Sequence, residues 1–289
     1  MKLEMISRYP VESQHPTPLL FIHGMFHGAW CWDVHFLDYF SHHGFAAHAV
    51  NLRGHGNSEG RGNLRWTRIA DYVEDVANAV RQLPRSSILI GHSMGGFIIQ
   101  KYLENHDAPG AVLLSSPPPA GLLATTLRIA RRRPLIFAKV NLTLSLLPLV
   151  ATPQLAREAF FSADCPNEEL LSYWKQLQDE SYMALLDMVA LDRLEPAKVK
   201  SPLLILGAAR DNMLKPREIE ATARAYNTHA EIIPDVAHNS MLEQRWQNVA
   251  ERILAWLKEQ ELSNDIQLLG EGAGKTSACY SHPPGGVDQ

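Results

Sequence analysis

The pentapeptide Gly91-His92-Ser93-Met94-Gly95 constrains this chain more than any other stretch. It follows a short apolar, β-type run, Ser87-Ile88-Leu89-Ile90, and leads into a helix-compatible stretch from Gly96 to Glu104. A Gly-x-Ser-x-Gly set between a strand and a helix makes a turn so tight that only glycine fits two residues either side of the serine. Ser93 is thereby lifted above the strand end, with the positive end of the following helix beneath it. That placement suits a nucleophile. A serine hydroxyl alone is a poor one, so a base and a group to orient the base are required elsewhere in the chain.

In a strand-turn-helix setting of this kind the partners follow in the order serine, acid, histidine, each just past a later strand. Pro202 to Gly207 reads as a buried strand, and Ala208-Ala209-Arg210-Asp211-Asn212 leaves its end. Ala230 to Pro234 is strand-like, and Asp235-Val236-Ala237-His238-Asn239 follows it, ahead of a helix over 247–257. Asp211 and His238 therefore occupy the positions of the orienting acid and the general base. His238 would take the Ser93 proton, while Asp211 would fix its tautomer and stabilise the imidazolium. Asp235 is the rival acid, but it lies only three residues before His238 and fits less well. A third requirement is a pair of N–H donors for the oxyanion. Leu19 to Met25 is a buried strand ending in His23-Gly24, so the main-chain N–H groups of Met25 and Met94 are the expected pair. His23 reads as a brace for that loop.

With these residues in view, the chain resembles the α/β-hydrolase superfamily. The resemblance rests on His23-Gly24, the Asn51-Leu52-Arg53-Gly54-His55-Gly56-Asn57-Ser58 loop, Gly91 to Gly96, Gly207 to Asp211 with Pro216, and His238. It covers roughly residues 1–118 and 198–260. It implies that the Arg53 to Ser58 loop is a structural turn after the fourth strand of the sheet. The run His23 to Trp32 is similar, locally, to the plant methylesterase and hydroxynitrile-lyase branch. The Arg53 to Ser58 loop looks more like bacterial esterases and lysophospholipases. One such fold carries many chemistries, so the likeness does not fix a substrate.

The length of 289 residues suits a single α/β domain with an insertion. Strand-like and helical runs alternate up to residue 116, which predicts a mostly parallel central sheet with helices on both faces. Helices are expected over 30–43 and 67–83; in the second, Ile69, Tyr72, Val73, Val76, Ala79, Val80 and Leu83 recur at helical spacing. The alternation stops at Ser116-Pro117-Pro118-Pro119 and resumes at Pro202. The expected organisation is thus a core over 1–117, a helical cap over 118–200, the rest of the core over 201–262, and a disordered tail over 263–289. The cap would lie over the carboxyl ends of the strands, where ligands bind in such sheets.

Within the cap, Pro134 to Pro148 is strongly apolar but too short, and too interrupted by Lys139 and Pro148, to span a membrane. It is expected to form an apolar wall of an acyl pocket, with Phe137 and Leu144 as substrate-binding residues. Its other reading is that these leucines glue the cap to the core. Arg131-Arg132-Arg133 precedes it, a charge run that is solvated or meets an anionic headgroup, a carboxylate or a membrane surface. Gly270 to Thr276 imitates a phosphate-binding loop, but Leu269 stands where its first glycine belongs and no strand precedes it, so nucleotide binding is rejected.

A formal net charge of −4 gives no hint of a nucleic-acid partner. The N-terminus shows no apolar secretory segment, and the three widely spaced cysteines suggest neither a disulfide framework nor a zinc site. A cytoplasmic setting, no metal and no cofactor are the expectations. The resemblance implies a serine hydrolase of carboxylic esters, with medium-chain acyl or lysolipid-like substrates suggested by the cap. On the same triad a hydroxynitrile lyase, a perhydrolase or a carbon–carbon hydrolase would also be possible chemistry. A ligand-binding protein that has retired its serine is the alternative from another class.

Overall fold

The computed structural model describes the backbone of residues 1–11 and 15–273, and side chains up to 260. Among the described residues, compact structure divides into one unit over Met1–Ala250 and a second that begins at Glu251. In the first, seven strands form one sheet: β1 (Met5–Arg8), β2 (Leu19–Ile22), β3 (Ala47–Val50), β4 (Ile88–His92), β5 (Ala111–Leu114), β6 (Leu203–Ala208) and β7 (Ala230–Ile233). Their spatial order is β1-β3-β2-β4-β5-β6-β7. Only the β1–β3 pairing is antiparallel; the other five are parallel.

Every residue of β2, β3, β4 and β5 is buried, as strands covered on both faces must be. The covering helices are α1 (Trp30–Asp33), α2 (Phe36–His42), α3 (Ile69–Gln82) and α4 (Met94–Tyr102), followed later by α10 (Pro216–Ala225). The stripe on α3 is largely sheet-facing core, with Ile69, Tyr72, Val76 and Ala79 fully buried. The expected single helix over 30–43 is instead two short ones, because His35 leaves the helical conformation at φ −141°.

Between β5 and β6 lie α5 (Leu123–Arg132), α6 (Pro134–Thr143), α7 (Pro153–Phe160), α8 (Asn167–Trp174) and α9 (Tyr182–Leu186), with no strand among them. This insertion is bolted to the sheet domain by buried polar contacts. Glu180, 1% exposed, accepts hydrogen bonds from Tyr72 Oη at 2.7 Å, His55 Nε2 at 3.1 Å and Ser181 N at 2.7 Å. Arg68 clasps Asp187 through Nε and an amino nitrogen, and Ile69 N donates to the same carboxylate. The Asn51–Ser58 turn, expected after a fourth strand, follows the third one described, β3. Arg53 there is structural: it pairs with the buried Asp75 and with Asp71 and Glu74.

The last helix, α11 (Trp246–Ala273), runs well past residue 257, where the sequence reading ends it, and covers the start of the stretch expected to be disordered. Residues 274–289, with Cys279 and the end of the phosphate-loop look-alike, lie outside the described residues.

Candidate active site

The Gly91 to Gly95 turn lies at the junction of β4 and α4, with Ser93 at φ 52°, ψ −120°. This left-handed conformation is costly for a residue with a side chain and persists only where the surroundings enforce it. A Cβ on Gly91 would come within 2.6 Å of the Gly95 carbonyl, and one on Gly95 within 2.3 Å of the Ile22 oxygen. Only glycine therefore permits the close approach on either side. Ser93 N donates to Leu114 O at 2.9 Å, which pins the turn to the neighbouring strand.

Two later loops bring the partners. His238 Nε2 lies 3.0 Å from Ser93 Oγ, and its Nδ1 lies 2.7 Å from Asp211 Oδ2. Asp211 follows β6 and His238 follows β7, and both are almost completely buried. The other Asp211 oxygen accepts from Met213 N at 2.7 Å and Leu214 N at 2.8 Å, so the carboxylate cannot swing away. Asp235 is elsewhere: its oxygens meet Arg210 and Arg245 in exposed ion pairs. The serine hydroxyl thus donates to the imidazole, whose other nitrogen donates to a clamped carboxylate.

The loop after β2 closes the site. Gly24 packs so tightly that a Cβ there would stand 3.0 Å from Ser93 Cβ. Met25 follows it, and both Met25 and Met94 line the chamber around Ser93. His23 braces this loop: its Nε2 accepts from Leu52 N at 3.2 Å, which leaves Nδ1 to donate to Gly24 O at 2.9 Å. Burial, with the nearby His55 adding to it, pushes its pKa down to about 3, so the ring is neutral.

Two further histidines, not singled out from the sequence, hold the loops in register. His27 Nδ1 donates to Met25 O at 2.6 Å, and its Nε2 accepts from Asn239 Nδ2 at 2.9 Å. Burial lowers its pKa to about 4. His92 Nε2 donates to the His238 carbonyl at 2.9 Å, and burial again keeps its ring neutral. Histidines one residue from a glycine turn carry no sequence signal of their own; only the close pairing of the two loops reveals the role.

The chamber is apolar. The insertion contributes Ile129, Phe137, Val140, Leu146, Leu149 and Phe160, and Phe26 of the loop after β2 joins them. Phe137 is therefore at the site. Leu144 does not line it; it ends α6 at φ 50°, where the chain turns out of the helix. Leu135 and Leu142 face solvent, each 85% exposed, so the apolar run of α6 is divided between chamber and surface. Among the described residues no group of three or more His, Cys, Asp or Glu side chains is placed to hold a metal ion, and no helix is long and apolar enough to cross a membrane.

A mostly parallel sheet with a strained serine elbow on a central strand, and an acid and a histidine past two later strands, defines a class of α/β enzyme scaffold. The chain belongs to the alpha/beta hydrolase family, whose sequence profile matches residues 19–252. It is 31% identical over 90 residues to the pyrethroid hydrolase of Sphingobium wenxiniae, covering 31% of this chain and 31% of that protein. It is 26% identical over 133 residues to Methylesterase 10 of Arabidopsis thaliana, covering 39% and 47% respectively. The second match agrees with the plant-branch likeness of the His23 to Trp32 run. The chain spans between about a third and a half of the length of these curated relatives. In three dimensions it is similar to the monoacylglycerol lipase of Paleococcus ferrophilus (TM-score 0.69, 17% identity, 90% of this chain and 100% of that one), a likeness of fold.

Proposed function

We propose that this protein hydrolyses carboxylic esters through an acyl-enzyme on Ser93. The observation that carries the reading is the continuous hydrogen-bonded line from Ser93 Oγ to His238 to Asp211, at 3.0 and 2.7 Å. As Ser93 attacks the acyl carbonyl, His238 Nε2 takes its proton, and Asp211 stabilises the imidazolium. The N–H groups of Met25 and Met94 would hold the oxyanion; a donor of this kind is worth roughly 3–4 kcal/mol of barrier. His238 then protonates the departing alkoxide. Water, deprotonated by the same ring, releases the acid.

The apolar lining supports an acyl group longer than acetyl. Each further methylene buried contributes up to about 0.8 kcal/mol, so a few carbons are expected to change specificity more than tenfold. A cyanohydrin lyase on this triad would need a lysine beside the serine. No lysine lines the chamber, and Lys139, Lys175 and Lys198 are exposed. The relatives named for ester or pyrethroid hydrolysis support the hydrolytic reading over that one.

The test is a series of p-nitrophenyl esters from acetate to dodecanoate. Efficiency is expected to peak at a medium chain, with Ser93→Ala inactive throughout. A monotonic decline from acetate would move the proposal to small substrates, and no hydrolysis of any ester would remove it.

A further inference from the structure

We infer that the outer face of α5 and α6 docks on an anionic lipid surface. The inference is drawn from exposed residues and stands whether or not Ser93 is a nucleophile. On α6, Leu135, Ala138, Lys139 and Leu142 recur at i, i+3, i+4 and i+7 and share one face, and all four are exposed. The opposite face carries Phe137 and Val140 into the chamber. A helix apolar on both sides is normally buried on both, and leucines left 85% open mark a surface that meets something else. The neighbouring helix α5, packed against α6, likewise leaves Leu123 and Leu127 about half exposed, at 52% and 46%.

Charge decides what that partner is. Between Asp107 and Glu158 the sequence holds no acidic residue, although the whole chain carries a net charge of −4. The cations of α5, α6 and the turn between them are Arg128, Arg131, Arg132, Arg133 and Lys139. Arg128 and Arg133 are paired with Glu218 and Glu158. Arg131, Arg132 and Lys139 have no acidic partner among the described residues, and all three are exposed. Exposed leucines interleaved with unpaired cations match the boundary between acyl chains and anionic headgroups. A second copy meeting the same face symmetrically would bring these cations against one another, which disfavours a dimer there.

The position of the face gives it a use. A cleft lined by Arg132, Arg133 and Ile136 on one side, and by Leu155 and Glu158 on the other, shares Phe26, Ile129 and Phe160 with the chamber around Ser93. A docked surface would therefore present lipid-borne molecules beside a cleft that adjoins the chamber around Ser93.

The experiment is sedimentation of the full chain with vesicles of phosphatidylcholine alone, or of phosphatidylcholine with phosphatidylglycerol, and it can be run on Ser93→Ala. Binding to the anionic vesicles only is expected, and it should weaken in high salt. Neutralising two cations in Arg131→Gln/Lys139→Gln should lower the partition coefficient about thirtyfold. Leu135→Asp/Leu142→Asp should abolish binding; residues this exposed should leave the far-ultraviolet circular dichroism and the melting temperature unchanged. No binding to anionic vesicles would overturn the inference, as would equal binding by all variants. So would a concentration-dependent dimer that the leucine variant dissolves.

Discussion

Asn239 donates its side-chain N–H to His27 Nε2 at 2.9 Å, joining two loops 212 residues apart in sequence. One loop carries Met25, whose carbonyl accepts from the same ring, and the other carries His238. The bridge holds the loop of Met25 and the loop of His238 in one frame.

His27 is accordingly a positioning residue. His27→Leu should lower kcat by about tenfold to a hundredfold with little change in KM, less than the loss of a whole oxyanion donor. His27→Gln, able to donate and accept at the same two places, should recover part of the rate. Equal loss in both variants would show that the ring serves only to fill space.

Acid should weaken the fold before it protonates most carboxylates. His23 and His27 titrate at about 3 and about 4 in the folded chain, chiefly through burial, against an ordinary value of 6.5. Above pH 6.5 both states carry them neutral, and their contribution is complete. Between pH 6.5 and about 4 the unfolded chain binds protons that the folded chain refuses. Stability then falls by up to about 1.4 kcal/mol per pH unit for each ring, levelling off as the folded values are passed. Urea midpoints measured across this range should drop on acidification, and less steeply in His27→Gln. A flat profile would contradict the buried neutral rings.

The two candidate acids are separable. Asp211→Asn should lose roughly four orders of magnitude in kcat, because the wrong tautomer of His238 is then favoured. Asp235→Asn, which touches only exposed arginines, should stay within about twofold and cost under about 0.5 kcal/mol of stability. Steady-state rates on one p-nitrophenyl ester decide it; the reverse ranking would move the acid.

The side chains of the candidate site were legible because each stands at or within five residues of the end of a strand, and the chain order of serine, acid and histidine follows the order of the strands. One end of the sheet was less so: the edge strand Met5-Ile6-Ser7-Arg8 is only half-buried, and its neighbour Ala47-His48-Ala49-Val50 carries a histidine and two small residues. The leucines of 135–147 could not be assigned to faces, since in so apolar a run the few polar residues, Lys139, Asn141, Thr143 and Ser145, mark no single helical face. Leu144 went the same way, because a left-handed helix end leaves no trace in composition. Glu180 and Asp187 were invisible for another reason. Their partners, His55, Tyr72 and Arg68, lie 108 to 125 residues away.

Glu180 is expected to be the costliest side chain to lose in the insertion. Its carboxylate is held below the usual range by His55, Ser181 and Tyr72, which together outweigh the burial that opposes ionisation. Glu180→Ala would leave buried donors on Tyr72 and His55 unpaired, at about 1–3 kcal/mol each. A destabilisation of about 2–6 kcal/mol in urea unfolding is predicted. A change under about 1 kcal/mol would show that the insertion is held by its apolar contacts alone.

The central claim is that Ser93 is an activated nucleophile, and covalent trapping tests it most directly. Treatment with a fluorophosphonate, followed by peptide mapping in a mass spectrometer, should place a single adduct on Ser93. The adduct should be absent from Ser93→Ala and form far more slowly in His238→Ala. An unmodified Ser93 in the folded wild-type chain, or labelling that ignores the loss of His238, would contradict the account.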